Sequence, residues 1–252
     1  MIPFRPLPGA LMAAALLAAP AGAIDLTDMT ESERAAFRAE VREYLLDNPE
    51  VIMEAVAVLE QRETASQEAA DREMIGALED EIFDDGYSWV GGNPEGDVTL
   101  VEFIDYRCGY CRRAHDDVNE LVESDGDIRL VIKELPILGP DSMASSRFAI
   151  ATKQIAGDEA YHAAMEALIQ MTGEVNEITL ERLAESLGLD ADRILVQMES
   201  PEVTEVISET RALAQRLGIN GTPTFVLPDR MVRGYMPLDG MREIVADVRE
   251  AG

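Results

Sequence analysis

Apolar residues recur along this chain at two spacings, one helical and one extended. Thr30-Glu31-Ser32-Glu33 is a capping box and predicts a helix running through Leu46. Asn48-Pro49 interrupts it, and Pro49 suits the first turn of a second helix. That second helix is apolar at Val51, Ile52, Ala55, Val58 and Leu59, and again at Met74, Ile75, Leu78 and Ile82. Between Glu60 and Arg72 it is almost wholly polar or alanine. A helix apolar at its ends and polar in its middle does not lie across one core. It reads as a stalk joining an N-terminal association element to a separate domain; the alternative is a long solvated helix packed loosely on its own domain.

Turn residues crowd the stretch from Gly86 to Gly96, with Gly91-Gly92-Asn93-Pro94 and Gly96-Asp97, and mark a domain boundary. Beyond it the spacing changes. Val98 to Ile104 reads as a strand, Gly109 to Glu123 as a helix and Ile128 to Lys133 as a second strand. A helical stretch from about Asp141 to Leu217 is punctuated at Gly157, Thr172-Gly173, Gly188, Ser200-Pro201 and Gly218. Two short strands, Thr224 to Leu227 and Met231 to Arg233, precede a closing helix from about Leu238 to Arg249. The order fits a mixed α/β (α+β) domain over 86–252, one sheet with a helical insertion at about 139–218, preceded by a helical arm and stalk over 24–85.

The first 23 residues read as a leader, not as fold. Arg5 gives a basic start, Ala10 to Ala19 a short apolar core, and Ala21-Gly22-Ala23 a small-residue cleavage site after Ala23. The apolar stretch is too short to span a bilayer. Export to the periplasm is the expectation. The chain carries 49 acidic against 21 basic residues, a formal net charge of −28, which excludes nucleic-acid binding through a general basic field.

Chemistry concentrates at Cys108-Gly109-Tyr110-Cys111, which holds the only two cysteines of the chain. A Cys-x-x-Cys pair at a strand-to-helix junction is the arrangement of a redox-active dithiol. Backbone N–H groups and the helix dipole there favour an anion, so Cys108 is the natural attacking thiolate and Cys111, a turn inward, the resolving thiol. Arg107, Arg112 and Arg113 crowd the same segment and pull the Cys108 pKa down, whereas Glu102 and Asp105 oppose them. Exported cysteines can persist as a disulfide, but a chain of this length does not need one for folding. Zinc held by Cys108, Cys111, His115 and His162 is chemically open, although only His115 is tied to the pair by spacing. Two reduced thiolates also suit Cu(I). No other cofactor is indicated. The two histidines, Trp89 and the scattered methionines read as structural.

The run from Val101 to Cys111, Val-Glu-Phe-Ile-Asp-Tyr-Arg-Cys-Gly-Tyr-Cys, together with Gly221-Thr222-Pro223-Thr224-Phe225, resembles the thioredoxin-fold oxidoreductases of the DsbA family. The resemblance covers about 88–252. The segment from Tyr44 to Met53 is similar to the N-terminal region of the ScsC-like branch, where such segments drive oligomerisation. It implies a thioredoxin fold in which Cys108 is nucleophile, Cys111 resolves and Pro223 is a cis-proline. A cis X–Pro bond would present the backbone of Thr222 to an extended client as an added strand. Glu102 matches a partly buried acid of that family, which implies proton transfer to or from Cys111; the alternative is a salt-bridged strand residue. Gly109-Tyr110 replaces the Pro-His of the strongly oxidising members, and Tyr110 cannot stabilise a thiolate by charge. With Thr222 before the proline, the site is similar to that of disulfide isomerases such as DsbC. The expectation is a homo-oligomeric isomerase or reductase, dimer or trimer, acting on client proteins with disulfides or thiols and served by a membrane redox partner. A DsbA-like oxidase and a Cu(I)-binding protein remain the alternatives.

Overall fold

The computed structural model describes residues 29–251; the expected leader lies outside them. Contacts divide the chain into one unit ending at Glu60 and a second beginning at Gln61. In the first unit, α1 (Glu31–Asp47) opens on its capping box. Glu33 N–H donates to Thr30 Oγ1 at 3.3 Å, and Thr30 N–H donates to Glu33 Oε2 at 2.8 Å. The helix ends where Asn48 N–H donates to Tyr44 O, and α2 (Glu50–Ala77) begins just after Pro49. No residue of α1 is buried. Phe37, Val41, Tyr44, Leu46, Ile52, Met53, Val56, Val58 and Leu59 are all exposed.

In the second unit the rest of α2 is followed by α3 (Glu79–Phe83), β1 (Trp89–Gly92), β2 (Val98–Ile104), α4 (Gly109–Asp125) and β3 (Ile128–Glu134). The insertion comprises α5 (Pro140–Ala156), α6 (Asp158–Gln170), α7 (Glu177–Ser186), α8 (Ala191–Met198) and α9 (Pro201–Arg216). β4 (Thr224–Leu227), β5 (Arg230–Arg233) and α10 (Leu238–Ala251) complete the chain. The sheet order is β1-β3-β2-β4-β5, with β2 and β3 parallel and every other pairing antiparallel. This is the thioredoxin-like fold that the resemblance implied, with the inserted helical block that the order of elements fitted.

The period of two along β2 sorts its side chains to two cores. Leu100 and Ile104 join α4, α10 and the insertion in one; Val101 and Phe103 join Val131, Leu213, Leu217 and Val226 in the other. Ile75 and Ile82 are buried in that second core, although both precede the boundary expected at 86. Asp71 is also buried, accepting a two-pronged pair of hydrogen bonds from Arg233 of β5 at 2.6 and 2.9 Å. Burial pushes the Asp71 carboxyl up, but Arg233 and a hydrogen bond from Gln67 together hold it below its usual range. Residues 61–85 therefore belong to the second unit by packing as well as by charge pairing.

β1 is an element the sequence concealed. Gly91-Gly92 reads as part of a turn, yet it pairs with β3 together with Trp89, which lies opposite Ile132. Gly92 has φ +66, and a Cβ there would run into the Ile128 carbonyl oxygen, so only glycine lets the edge strand approach.

Candidate active site

Cys108 occupies the N-cap of α4 with extended backbone angles, φ −75 and ψ 119, and Cys111 lies one turn into the helix. Cys108 is 7% exposed and Cys111 0%, while Gly109 and Tyr110 between them are exposed. Both are free thiols. The Cys108 S–H donates to the carbonyl of Thr222 at 3.1 Å. The Thr222–Pro223 peptide is cis, Pro223 is buried, and Thr222 is half-buried against the sulfur. Residues 114 positions apart in sequence thus meet on one atom.

The two sulfurs are driven in opposite directions. A hydrogen bond from the Cys111 thiol is the largest cause pulling Cys108 down to about 5. Burial opposes it; the Thr222 side chain and the backbone N–H groups of Cys111 and Tyr110 reinforce it. Cys111 is pushed far up by burial, by its bond to Cys108 and by the charge of Glu102. Glu102 lies on the same face of β2 as Leu100 and Ile104, is 3% exposed, and its Oε1 is buried with no hydrogen-bond partner. Its opposite residue on β3 is Ile132, which offers no donor. Burial, then the Cys108 charge, raises Glu102 to about 8.

The arginines do not gather at the sulfur. Arg107 donates to Met171 O at 3.3 Å and faces Asp141 at 3.8 Å; Arg112 donates to Met171 O at 2.7 Å and to Tyr106 O at 3.0 Å. Arg113 stacks over the Tyr235 ring at 4.4 Å. The causes that lower Cys108 are sulfur, threonine and backbone donors, and Tyr110 contributes through its N–H while its side chain is 62% exposed. Asp105 is buried and accepts from the N–H groups of Arg107, Ile137 and Leu138 at 2.8 to 3.1 Å, pinning the loop before Cys108 to the loop after β3.

Sequence reasoning left His162 unconnected to His115. In the fold both reach Glu166: His115 Nε2 lies 2.8 Å and His162 Nε2 3.7 Å from its Oε1, so the cluster joins α4 to α6. Neither histidine joins the cysteines, and no group of three or more candidate metal ligands forms among the described residues.

A dithiol heading the helix after a central strand, with a cis-proline across from it, is the arrangement of a thioredoxin-fold dithiol site. The chain belongs to the DSBA-like thioredoxin domain family, which matches residues 99–246. Residues 33–65 match a second family, the N-terminal domain of the copper resistance protein ScsC. A thioredoxin-like oxidoreductase from Silicibacter pomeroyi is 46% identical, with a TM-score of 0.64, over 69% of this chain and 98% of its own. The thiol-disulfide exchange protein alpha-DsbA2 from Wolbachia pipientis is 26% identical, with a TM-score of 0.67, over 74% and 98%. A linker-deleted ScsC from Proteus mirabilis shares the fold at 22% identity, with a TM-score of 0.66, over 90% and 100%. Na(+)/H(+) antiporters NhaA from Herminiimonas arsenicoxydans and Salinispora arenicola are 29% and 31% identical over 58% and 62% of this chain. The matches span only 23% and 24% of those antiporters, about a quarter of their length. Among the described residues no helix is long and apolar enough to cross a membrane.

Proposed function

We propose that this protein is an exported, self-associating thiol–disulfide oxidoreductase that isomerises or reduces disulfides in client proteins. The observation that carries the reading is the opposed pair of thiols: Cys108 lowered to about 5 beside a buried Cys111 that holds its proton. The Cys108 thiolate attacks one sulfur of a client disulfide, forming a Cys108–client bond and releasing the other client sulfur as thiolate. A second client thiolate attacking that mixed disulfide regenerates Cys108 and completes an isomerisation. Attack by Cys111 instead forms the Cys108–Cys111 disulfide and releases a reduced client. Cys111 must first lose its proton, and Glu102 is the acceptor that supports this second route. A proton held on Cys111 prolongs the mixed disulfide, which favours isomerisation. The backbone of Thr222 next to Pro223 is the edge on which an extended client would lie.

The nine exposed apolar residues between Phe37 and Leu59 support a second copy of the chain as the occupant of the arm. The leader pattern supports export with cleavage after Ala23, and the reductase route calls for a membrane partner that returns Cys108–Cys111 to the dithiol. A second reading is favoured by the free state of both thiols: two thiolates suit Cu(I) as cargo.

The test is reactivation of ribonuclease with scrambled disulfides by the full mature protein in glutathione buffer. Reactivation that requires Cys108 supports the isomerase. Failure there with rapid oxidation of reduced ribonuclease identifies a DsbA-like oxidase. Silence in both, with stoichiometric copper retained after reduction, favours the Cu(I) reading.

A further inference from the structure

Glu134 at the end of β3 is 4% exposed and has no part in the exchange steps, yet three hydroxyls converge on it. Tyr106 and Tyr161 donate to Oε1 at 2.6 and 2.7 Å, and Ser146 donates to Oε2 at 2.7 Å. Ser146 and Tyr161 belong to α5 and α6 of the insertion; Tyr106 stands two residues before Cys108. The backbone of Tyr106 is tied as well. Arg112 donates to its carbonyl at 3.0 Å while also donating to Met171 O, just beyond the end of α6. Both ends of Tyr106 are thus linked to the insertion, the hydroxyl through Glu134 and the carbonyl through Arg112.

We propose that Glu134 is a positioning residue: through Tyr106 it couples the helical insertion to the Cys108 loop and keeps the sulfur aligned with the groups that stabilise its thiolate. The proposal rests on the dithiol reading. Burying a carboxylate is costly unless it is fully hydrogen-bonded, and an apolar side chain at position 134 would fill the space without that cost. Burial raises Glu134 to about 7 even against the pull of Tyr106, Tyr161 and Ser146. A group retained under that opposition, with one of its three donors on the catalytic loop, fits a device that sets loop geometry.

The experiment is the pH dependence of Cys108 alkylation in the reduced full-length protein, resolved by mass spectrometry for wild type, Tyr106→Phe, Glu134→Gln and the double variant. Melting temperature is followed in parallel. Both single variants should raise the Cys108 midpoint by about half a unit, an approximately threefold loss of thiolate below the midpoint. The double variant should go no further than the larger single effect, because the two side chains act through one bond. A lowered melting temperature with an unmoved midpoint in Tyr106→Phe would reduce the cluster to scaffolding and overturn the proposal. Additive midpoint shifts would overturn the coupling. Should Glu134→Gln fail to fold, Tyr106→Phe, which removes a single oxygen, decides alone. No client is needed, so an absence of isomerase activity leaves this result readable; an ordinary Cys108 midpoint in wild type would instead refute the dithiol reading itself.

Discussion

Between Phe37 and Leu59 the chain leaves nine large apolar side chains in solvent, whereas around β2 and β3 it buries Glu102, Asp105, Lys133 and Glu134. The two regions depart from ordinary solvation in opposite senses, and each departure has its own meaning. Exposed apolar surface along a helix lacks only a partner, and association supplies one. Buried polar groups must be satisfied from within or carry chemistry. Lys133 and Asp85 satisfy each other, Asp105 is satisfied by three N–H groups and Glu134 by three hydroxyls. Glu102, whose charge acts on Cys111, keeps one oxygen unpaired, and the proposed resolution step uses it as proton acceptor.

The sharpest break in this comparison is at the sulfurs. Cys108→Ser should reduce disulfide exchange to background, since a hydroxyl does not ionise to a comparable nucleophile, while Cys111→Ser should accumulate mixed disulfides with clients on non-reducing gels. Equal trapping by both variants would contradict the division of roles. Next comes truncation. Removing residues 24–60 should leave a folded monomer by light scattering, and an unchanged oligomer would refute association through the arm. Extending the cut to residue 85 removes Ile75 and Ile82 from the core and leaves Arg233 unpaired. That should cost roughly 2–5 kcal/mol for each isoleucine in denaturant unfolding.

Much of this was legible in the sequence, and the reasons for the exceptions are physical. Strands Val98–Ile104 and Ile128–Glu134, α4 and the closing helix follow from periodicity and caps, which are local. Cys108, Cys111, Thr222 and Pro223 were named from motifs, and the fold brings Thr222 to the Cys108 sulfur. Strand β1 was hidden because glycines carry no side-chain pattern. The stalk reading of residues 61–85 failed to anticipate the burial of Asp71, whose partner Arg233 is 162 residues away. The Glu134 cluster was equally invisible: its donors are 12 to 28 residues distant, and no short-range spacing announces them. Arg107 and Arg112 showed the converse error, since proximity in sequence to Cys108 said nothing of the Met171 carbonyl that claims them.

Smaller effects test the polar side of the comparison. Glu102 is raised from 4.5 to about 8, so its ionisation opposes folding increasingly as pH climbs through that window. Glu102→Gln should therefore leave the melting temperature near wild type at pH 4 and raise it by a few degrees above pH 8, while slowing resolution by Cys111. A pH-independent change would contradict a buried, ionisable Glu102. Thr222→Val keeps the carbonyl that meets Cys108 but removes the hydroxyl. It should shift the ratio of oxidation to isomerisation by about fivefold toward oxidation, the worth of one hydrogen bond of about 1 kcal/mol. An unaltered ratio would remove Thr222 as a determinant.

The central claim is that two thiols three residues apart are held in opposite protonation states. Its most direct test is the alkylation rate of each cysteine in the reduced protein as a function of pH, read separately by mass spectrometry. The structure predicts a Cys108 midpoint near 5 and no comparable reaction at Cys111 through neutral pH. Two ordinary midpoints near that of free cysteine at about 8.5, or faster reaction at Cys111, would contradict it.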